Sequence, residues 1–209
     1  MSPDKFIPLA EQTGLIKPLT KWVLKTALRQ CEEWYRAGVN LSMAVNVSAI
    51  SIQDPDFPNQ MEKMLEDFDV PAAQLEIEIT ESVLMSETET SQRIIERMRE
   101  LGVGIGIDDF GTGYSSLSYL KRLRPNQLKI DRSFVSDTAT DNDSRAIVNG
   151  IVGLANALSL TVVAEGVETL EQEQFLRDTG CHTLQGYFIG RPMPVEQFEA
   201  WMSKRQRAA

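Results

Sequence analysis

Hydrophobic positions along the chain follow two alternating periods. Leu19, Trp22, Val23, Ala27, Cys31, Trp34 and Tyr35 recur at the spacing of one helix face and stop at Gly38, a residue suited to the left-handed position after a helix. The stripe returns in Phe57, Met61, Met64, Leu65 and Phe68, then in Ile94, Ile95 and Met98 between a capping box, Ser86-Glu87-Thr88-Glu89, and Gly102. It returns again after Asp141 in Ile147, Ile151, Leu154 and Leu158, and a second capping box, Thr169-Leu170-Glu171-Gln172, opens the next helix. The spacing predicts that these Met and aromatic stripes pack a core.

Between the helices lie short runs rich in β-branched residues: Leu41–Val47, Gln74–Thr80, Val103–Asp108, Gln127–Asp131, Thr161–Glu165 and a weaker Thr183–Tyr187. Several read as nearly continuous apolar runs, the pattern of strands covered on both faces. Strands alternating with helices predict an α/β fold with a parallel sheet. A polar residue stands at or just beyond the C-terminal end of each run: Asn46, Glu78, Asp108 with Asp109, Lys129, Glu165 and Gln185. They recur every 20 to 36 residues, roughly one per βα unit. In a (β/α) barrel the active site lies at those strand ends, so the recurrence predicts one convergent site.

Asp108 and Asp109 are adjacent, and both can reach that site only if the strand is ending. Gly111-Thr112-Gly113 follows and allows a sharp turn and a mobile loop. Up to four carboxylates in a dry site cannot all ionise without compensation, and divalent cations supply it. Carboxylate and amide oxygens (Asn46, Gln185), with no His or Cys beside them, suit hard ions, so Mg²⁺ or Mn²⁺ is expected rather than Zn²⁺. Lys129 adds a positive charge. The only histidine, His182, is expected at the surface or behind the site, and no Ser-His or Cys-His pairing is available for a nucleophilic triad. What remains is attack by a cation-activated water on an electrophile. Each residue also has a plainer role open to it: an acid at a strand end can simply cap the next helix, and Lys129 can snorkel at a barrel rim.

Composition narrows the classes further. The chain has 209 residues, 42% hydrophobic and 24% charged, which predicts one globular domain. A net charge of −9 excludes gripping a nucleic-acid polymer by bulk charge, and no apolar run approaches the ~18 residues of a membrane span. The start of the chain carries no secretory pattern, so a cytoplasmic location is expected. Cys31 and Cys181 are expected to be reduced, buried, small hydrophobes. Lys204-Arg205-Gln206-Arg207 reads as a solvated tail, giving a barrel domain over 1–203 and a basic tail over 204–209.

Seven segments then carry a resemblance. Phe6-Ile7-Pro8-Leu9-Ala10-Glu11, Val45-Asn46-Val47-Ser48, Glu76-Ile77-Glu78-Ile79-Thr80-Glu81-Ser82, Ile107-Asp108-Asp109-Phe110-Gly111-Thr112-Gly113 with Tyr114 to Leu117, Leu128-Lys129-Ile130-Asp131-Arg132-Ser133-Phe134, Val163-Ala164-Glu165-Gly166-Val167-Glu168 and Gln185-Gly186-Tyr187 occur in order, with Arg191-Pro192 beyond. The sequence resembles the EAL-domain family of cyclic di-GMP phosphodiesterases over essentially its whole length. The resemblance implies a TIM-like (β/α) barrel that hydrolyses cyclic di-GMP to linear pGpG with two Mg²⁺ or Mn²⁺ ions. It implies that Asn46, Glu78, Asp108 and Asp109 are metal ligands. Lys129 is then the lysine that orients water and developing charge, and Glu165 the general base or water anchor. Asp131, Glu168, Gln185 and Arg191 become residues that contact substrate or complete the site, and Glu81 the acid that holds the Asp-Asp-Phe-Gly loop. A homodimer, with exchange of strands as one way of forming it, is implied as well.

The sequence departs from the family pattern in lacking the namesake Glu-Ala-Leu, whose Glu is a metal ligand. Against a barrel of about 250 residues, 209 with six strand candidates predict a barrel short of its first strands and with impaired activity. Smaller departures are Ser51 for the frequent Gln, Asn126 for the frequent Asp, and His182 for the frequent Asp. The competing expectations are a non-catalytic cyclic di-GMP receptor or dimerisation module and, more remotely, a proton-abstracting barrel enzyme.

Overall fold

The computed structural model describes residues 2–81, 83, 89–113 and 117–206. Six parallel strands form one sheet in sequence order: β1 (Met43–Asn46), β2 (Leu75–Thr80), β3 (Gly104–Phe110), β4 (Gln127–Ile130), β5 (Thr161–Ala164) and β6 (Thr183–Leu184). Because every neighbour is parallel, each connection crosses from the end of one strand to the start of the next, and helices such as Phe57–Asp67, Glu89–Glu100, Asn142–Ala157 and Leu170–Thr179 make those crossings. This is the serial βα winding of a TIM-like barrel wall, with β1 and β6 as the sheet's edges among the described residues. All six expected strands are present, although the weakest shortens from Thr183–Tyr187 to Thr183–Leu184.

The two faces of the sheet differ in chemistry. Val45, Leu75, Ile77, Ile79, Ile105, Ile107, Leu128, Ile130, Val162 and Ala164 are buried in one core with the crossover helices. Alternate residues point the other way. On β2 to β4 these are Glu76, Glu78 and Thr80, then Gly104, Gly106 and Asp108, then Gln127 and Lys129. Both faces of β2 to β4 are buried or half-buried, as expected, but the runs are not continuously apolar: their second face is polar and small.

The helical stripes need a similar correction. The long helix Ile16–Arg36 buries Ile16, Thr20, Leu24, Leu28 and Cys31, while Trp22 is 65% exposed and Tyr35 also lies outside. Thr20 hides this register from a hydrophobicity count, because its hydroxyl accepts a hydrogen bond from Ser51 Oγ at 3.3 Å and is buried as a polar group. In Asn142–Ala157 the buried residues include Val148, Ile151, Val152 and Ala155, whereas Ile147 and, beyond the helix, Leu158 are exposed.

Helix ends follow local chemistry. The box at Thr169 forms: Thr169 Oγ1 accepts from Gln172 N at 3.2 Å and Gln172 Oε1 accepts from Thr169 N at 3.0 Å. The same helix stops at Gly180, whose φ of +92° is the left-handed conformation glycine tolerates. The other expected box, Ser86 to Glu89, falls largely outside the described residues. Both cysteines are free thiols, Cys31 buried and Cys181 partly so. Lys204 and Arg205 belong to the helix Val195–Gln206. No helix among the described residues is long and apolar enough to cross a membrane.

Candidate active site at the strand ends

The C-terminal ends of β2 to β5 converge on the ammonium of Lys129. Its Nζ lies 2.7 Å from Glu165 Oε1, 2.9 Å from Glu78 Oε2 and 3.1 Å from Asp108 Oδ1. Each acid comes from a different strand or strand end, and Lys129 is only 3% exposed, so it does not snorkel. Asn46, at the end of β1, donates from Nδ2 to Glu78 Oε2 at 3.1 Å. Glu165 extends β5, its amide donating to Ile130 O.

Burial works against the Lys129 charge, but hydrogen bonds to Glu165 and Glu78 and the charges of Glu78 and Asp108 outweigh it and raise its pKa. Lys129 is therefore a permanent cation at neutral pH. Burial pushes the carboxyls of Glu78 and Glu165 up, Lys129 opposes this, and mutual repulsion with Asp108 adds to it. Three acids share one ammonium, which leaves the cluster with surplus negative charge.

Asp109 reaches the same end of the sheet by a route the sequence does not announce. β3 continues through Phe110, and the register to β4 shifts between Ile107 and Phe110. In this bulge Asp109 adopts φ +55° and its amide donates to Asp108 Oδ1 at 3.0 Å. An extra residue in one strand re-aims a side chain, so the adjacent acids are accommodated by a bulge and not by the strand's ending. Burial raises the Asp109 pKa, and repulsion from Asp108 and Asp131 raises it further. Asp131 itself caps the short helix Arg132–Ser136, and hydrogen bonds from Ser133 hold its carboxyl below the usual range despite partial burial.

Glu81 follows β2 and is buried against the loop after β3. Its Oε2 accepts from Gly111 N at 2.9 Å and Gly113 N at 3.3 Å. A Cβ on Gly113 would stand 2.8 Å from Glu81 Oε1, so the acid and the glycine loop fit only as a pair.

The remaining expected residues stay apart from this cluster. Glu168 is exposed, its amide held by Gln172 Oε1 at 2.7 Å. Gln185 is exposed and joins through its backbone, donating to Ala164 O and accepting from Val167 N. The Arg191 guanidinium lies 4.3 Å from the centroid of the exposed Tyr187 ring. His182, also exposed, accepts the Val162 amide on Nδ1 at 3.1 Å, and Asn126 Oδ1 accepts the Ile105 amide at 2.9 Å. His182 and Asn126 thus each supply an acceptor for a strand amide.

Sequence reasoning missed Glu76 and Gln127, which lie on the same face two residues before Glu78 and Lys129. Gln127 Nε2 donates to Glu76 Oε1 at 2.7 Å. Burial and the charge of Glu78 lift the Glu76 pKa to about 7. The signal was available in the strict alternation Glu76-Ile77-Glu78-Ile79 and Gln127-Leu128-Lys129-Ile130.

Asn46, Glu78, Asp108 and Asp109 present hard oxygen donors in excess of positive charge, a donor set that fits Mg²⁺ or Mn²⁺ by chemistry. Among the described residues no three acidic, His or Cys side chains enclose a single ion position. Lys129 Nζ occupies the point on which three of the acids converge.

A parallel βα sheet with a buried lysine–carboxylate cluster at its strand ends defines the site of a TIM-like α/β barrel. The sequence pattern of the EAL domain matches residues 1–192, and the chain belongs to that family. It is 46% identical over 201 residues to the bifunctional diguanylate cyclase/cyclic di-GMP phosphodiesterase MucR of Pseudomonas aeruginosa, covering 96% of this chain and 29% of that protein. It is 42% identical over 203 residues to the oxygen sensor protein DosP of Escherichia coli, covering 96% of this chain and 25% of that protein. The chain therefore spans between a quarter and a third of these relatives. Among solved structures, the MucR phosphodiesterase in complex with c-di-GMP superposes with a TM-score of 0.91 at 46% identity, covering 95% of this chain and 81% of that one. The EAL enzyme Bd1971, bound to cAMP and cyclic di-GMP, gives 0.88 at 33% identity over 95% of this chain and 55% of that one.

Proposed function

We propose that the chain is the phosphodiesterase domain of a cyclic di-GMP signalling protein, hydrolysing one phosphodiester bond of cyclic di-GMP to give linear pGpG. The convergence of Glu78, Asp108 and Glu165 on Lys129 at the strand ends carries this reading, together with the family's cyclic di-GMP phosphodiesterases.

Asn46, Glu78, Asp108 and Asp109 are the residues that would hold Mg²⁺ or Mn²⁺, with Asp131 beside Asp109. Held there, divalent cations would supply a water that is nucleophilic at neutral pH and would neutralise charge on the phosphoryl oxygens. Lys129, fixed by three acids, keeps a positive charge where negative charge develops in the transition state. Glu165 holds its carboxylate next to that ammonium and is placed to orient or deprotonate water. Glu81, through Gly111 and Gly113, sets the loop that follows the Asp108-Asp109 bulge. Gln185 and Arg191 with Tyr187, beyond β5 and β6, are candidates for contacting the nucleotide outside the reacting centre.

With no Glu-Ala-Leu in the sequence, the chain carries one carboxylate fewer than the family pattern, and its turnover is expected to lie below that of a protein carrying the motif. The experiment is pGpG formation from cyclic di-GMP with Mn²⁺, alongside calorimetric binding of the dinucleotide. Slow, cation-dependent cleavage abolished by Glu78→Gln supports the reading. Tight binding with no cleavage under any cation replaces it with a receptor. The resemblance also carries the expectation of a homodimer, which sedimentation equilibrium checks.

A further inference from the structure

Two rungs link β2 to β4 across β3. The upper one is the ion pair Glu78–Lys129 at 2.9 Å. The lower one is the hydrogen bond from Gln127 Nε2 to Glu76 Oε1 at 2.7 Å, two residues before each partner on the same face. Adjacent strands lie about 4.8 Å apart, so both rungs must cross the middle strand, a span of roughly 10 Å. β3 permits this because it presents glycine beneath them. A Cβ on Gly106 would stand 2.7 Å from Glu76 Oε1 and 3.5 Å from Glu78 Cγ, and one on Gly104 would lie 3.4 Å from Glu76 Cγ. The register agrees, with Glu76 opposite Gly104 and Gln127 opposite Gly106.

We infer that Glu76 and Gln127, with Gly106 as their clearance, form a positioning rung that fixes β4 against β2 and so aims Lys129 at Glu78, Asp108 and Glu165. The need for such a rung follows from the bulge. Between Ile107 and Phe110 the β3–β4 ladder loses its regular register immediately beside Lys129. Backbone pairing to β3 is weakest where Lys129 must be held most closely, and a side-chain link from β2 bypasses the irregular stretch. Neither Glu76 nor Gln127 touches the reacting groups. They act through Lys129 and Glu78, and the catalytic readout rests on the phosphodiesterase reading.

Five proteins test the rung: wild type, Gln127→Ala, Gly106→Ala, these two combined, and the exchange Glu76→Gln with Gln127→Glu, which reverses donor and acceptor but keeps the bond. Two readouts are taken, the kinetics of cyclic di-GMP cleavage and the ¹⁵N signal of the Lys129 ammonium, the latter needing no activity. Gln127→Ala and Gly106→Ala are each expected to shift the Lys129 signal and lower kcat on the order of ten- to a hundredfold with KM unchanged, the scale of a small misplacement at a reacting group. Combining them should cost no more than the worse single change, because both break one contact. The exchange should restore the Lys129 signal and most of kcat. A Gln127→Ala protein with the wild-type Lys129 signal overturns the inference, as does an exchange variant that recovers neither readout. If the Lys129 signal responds as expected while wild type itself cleaves nothing, the rung stands and the phosphodiesterase reading falls.

Discussion

Lys129 owes its burial to its neighbours. A lone ammonium would not be stable at 3% exposure, and three carboxylates would not be stable together without it. Lys129→Met should therefore cost about 3–5 kcal/mol, because it leaves buried acids uncompensated, and urea denaturation would show the midpoint falling with the slope preserved. Adding Glu165→Gln to it should recover part of that loss, since one surplus charge disappears. A pair of changes that cost strictly the sum of the singles would mean that Lys129 and Glu165 do not depend on each other. Cys181 makes a second prediction at this scale. Burial lifts its thiol from an ordinary value of 9 to about 11, so the neutral form is the one the fold favours. The folded-state pKa of this acid is raised, so its contribution to stability is full below pH 9 and is lost as the pH climbs from 9 towards 11. Alkylation of Cys181 by iodoacetamide should stay slow near neutrality and accelerate over that same interval. Rapid labelling at pH 7 would contradict it.

At the scale of elements, the sequence is most legible where local chemistry decides and least where neighbours do. The helix Leu170–Thr179 is announced by Thr169 and Gln172 at one end and Gly180 at the other, and it forms between those marks. Thr169→Ala should accordingly cost about 1 kcal/mol in thermal or urea unfolding, while Thr169→Ser should cost little. Strands were legible as β-branched runs, and Glu78, Asp108, Lys129 and Glu165 could be placed together because each stands at the end of one. The bulge at Asp108-Asp109 left no mark in hydrophobicity, since a single inserted residue changes direction without changing composition. Glu76 and Gln127 were obscured for a related reason: a run read as nearly continuously apolar draws no attention to its polar members, and the register shows that they meet across glycines. The spacing of apolar residues in the first stripe places Trp22 on the core face. The helix instead turns Thr20 inward, and a hydroxyl with a partner can be buried where a count of apolar residues does not look for it.

At the scale of the molecule, the helix layer joins parts that the sheet leaves separate. The helix Val195–Gln206 follows β6 at one edge and returns to Ile16–Arg36, which packs on β1 at the other. The joint is an aromatic seam. Trp34 Nε1 donates to Glu199 Oε1 at 2.8 Å, its ring lies 5.6 Å from Phe198, Phe198 lies 5.8 Å from Trp201, and the Arg205 guanidinium sits 4.7 Å from the Trp201 centroid. None of the described side chains of this helix is fully buried, in contrast to Leu176, which is 0% exposed. The seam should then be separable from the core. Phe198→Ala removes the central ring, and an aromatic contact of this kind is worth about 0.5–1.5 kcal/mol beyond its area. For a chain of this size that corresponds to a fall in Tm of only a few degrees, whereas Leu176→Ala should cost about 2–5 kcal/mol. Trp22 is already exposed, so a red shift in tryptophan emission on Phe198→Ala reports Trp34 and Trp201 alone. The expected result is that red shift with a small change in Tm. A large loss of Tm would place the seam within the cooperative core of the sheet, and unchanged emission would mean that the helix stays docked without its central ring.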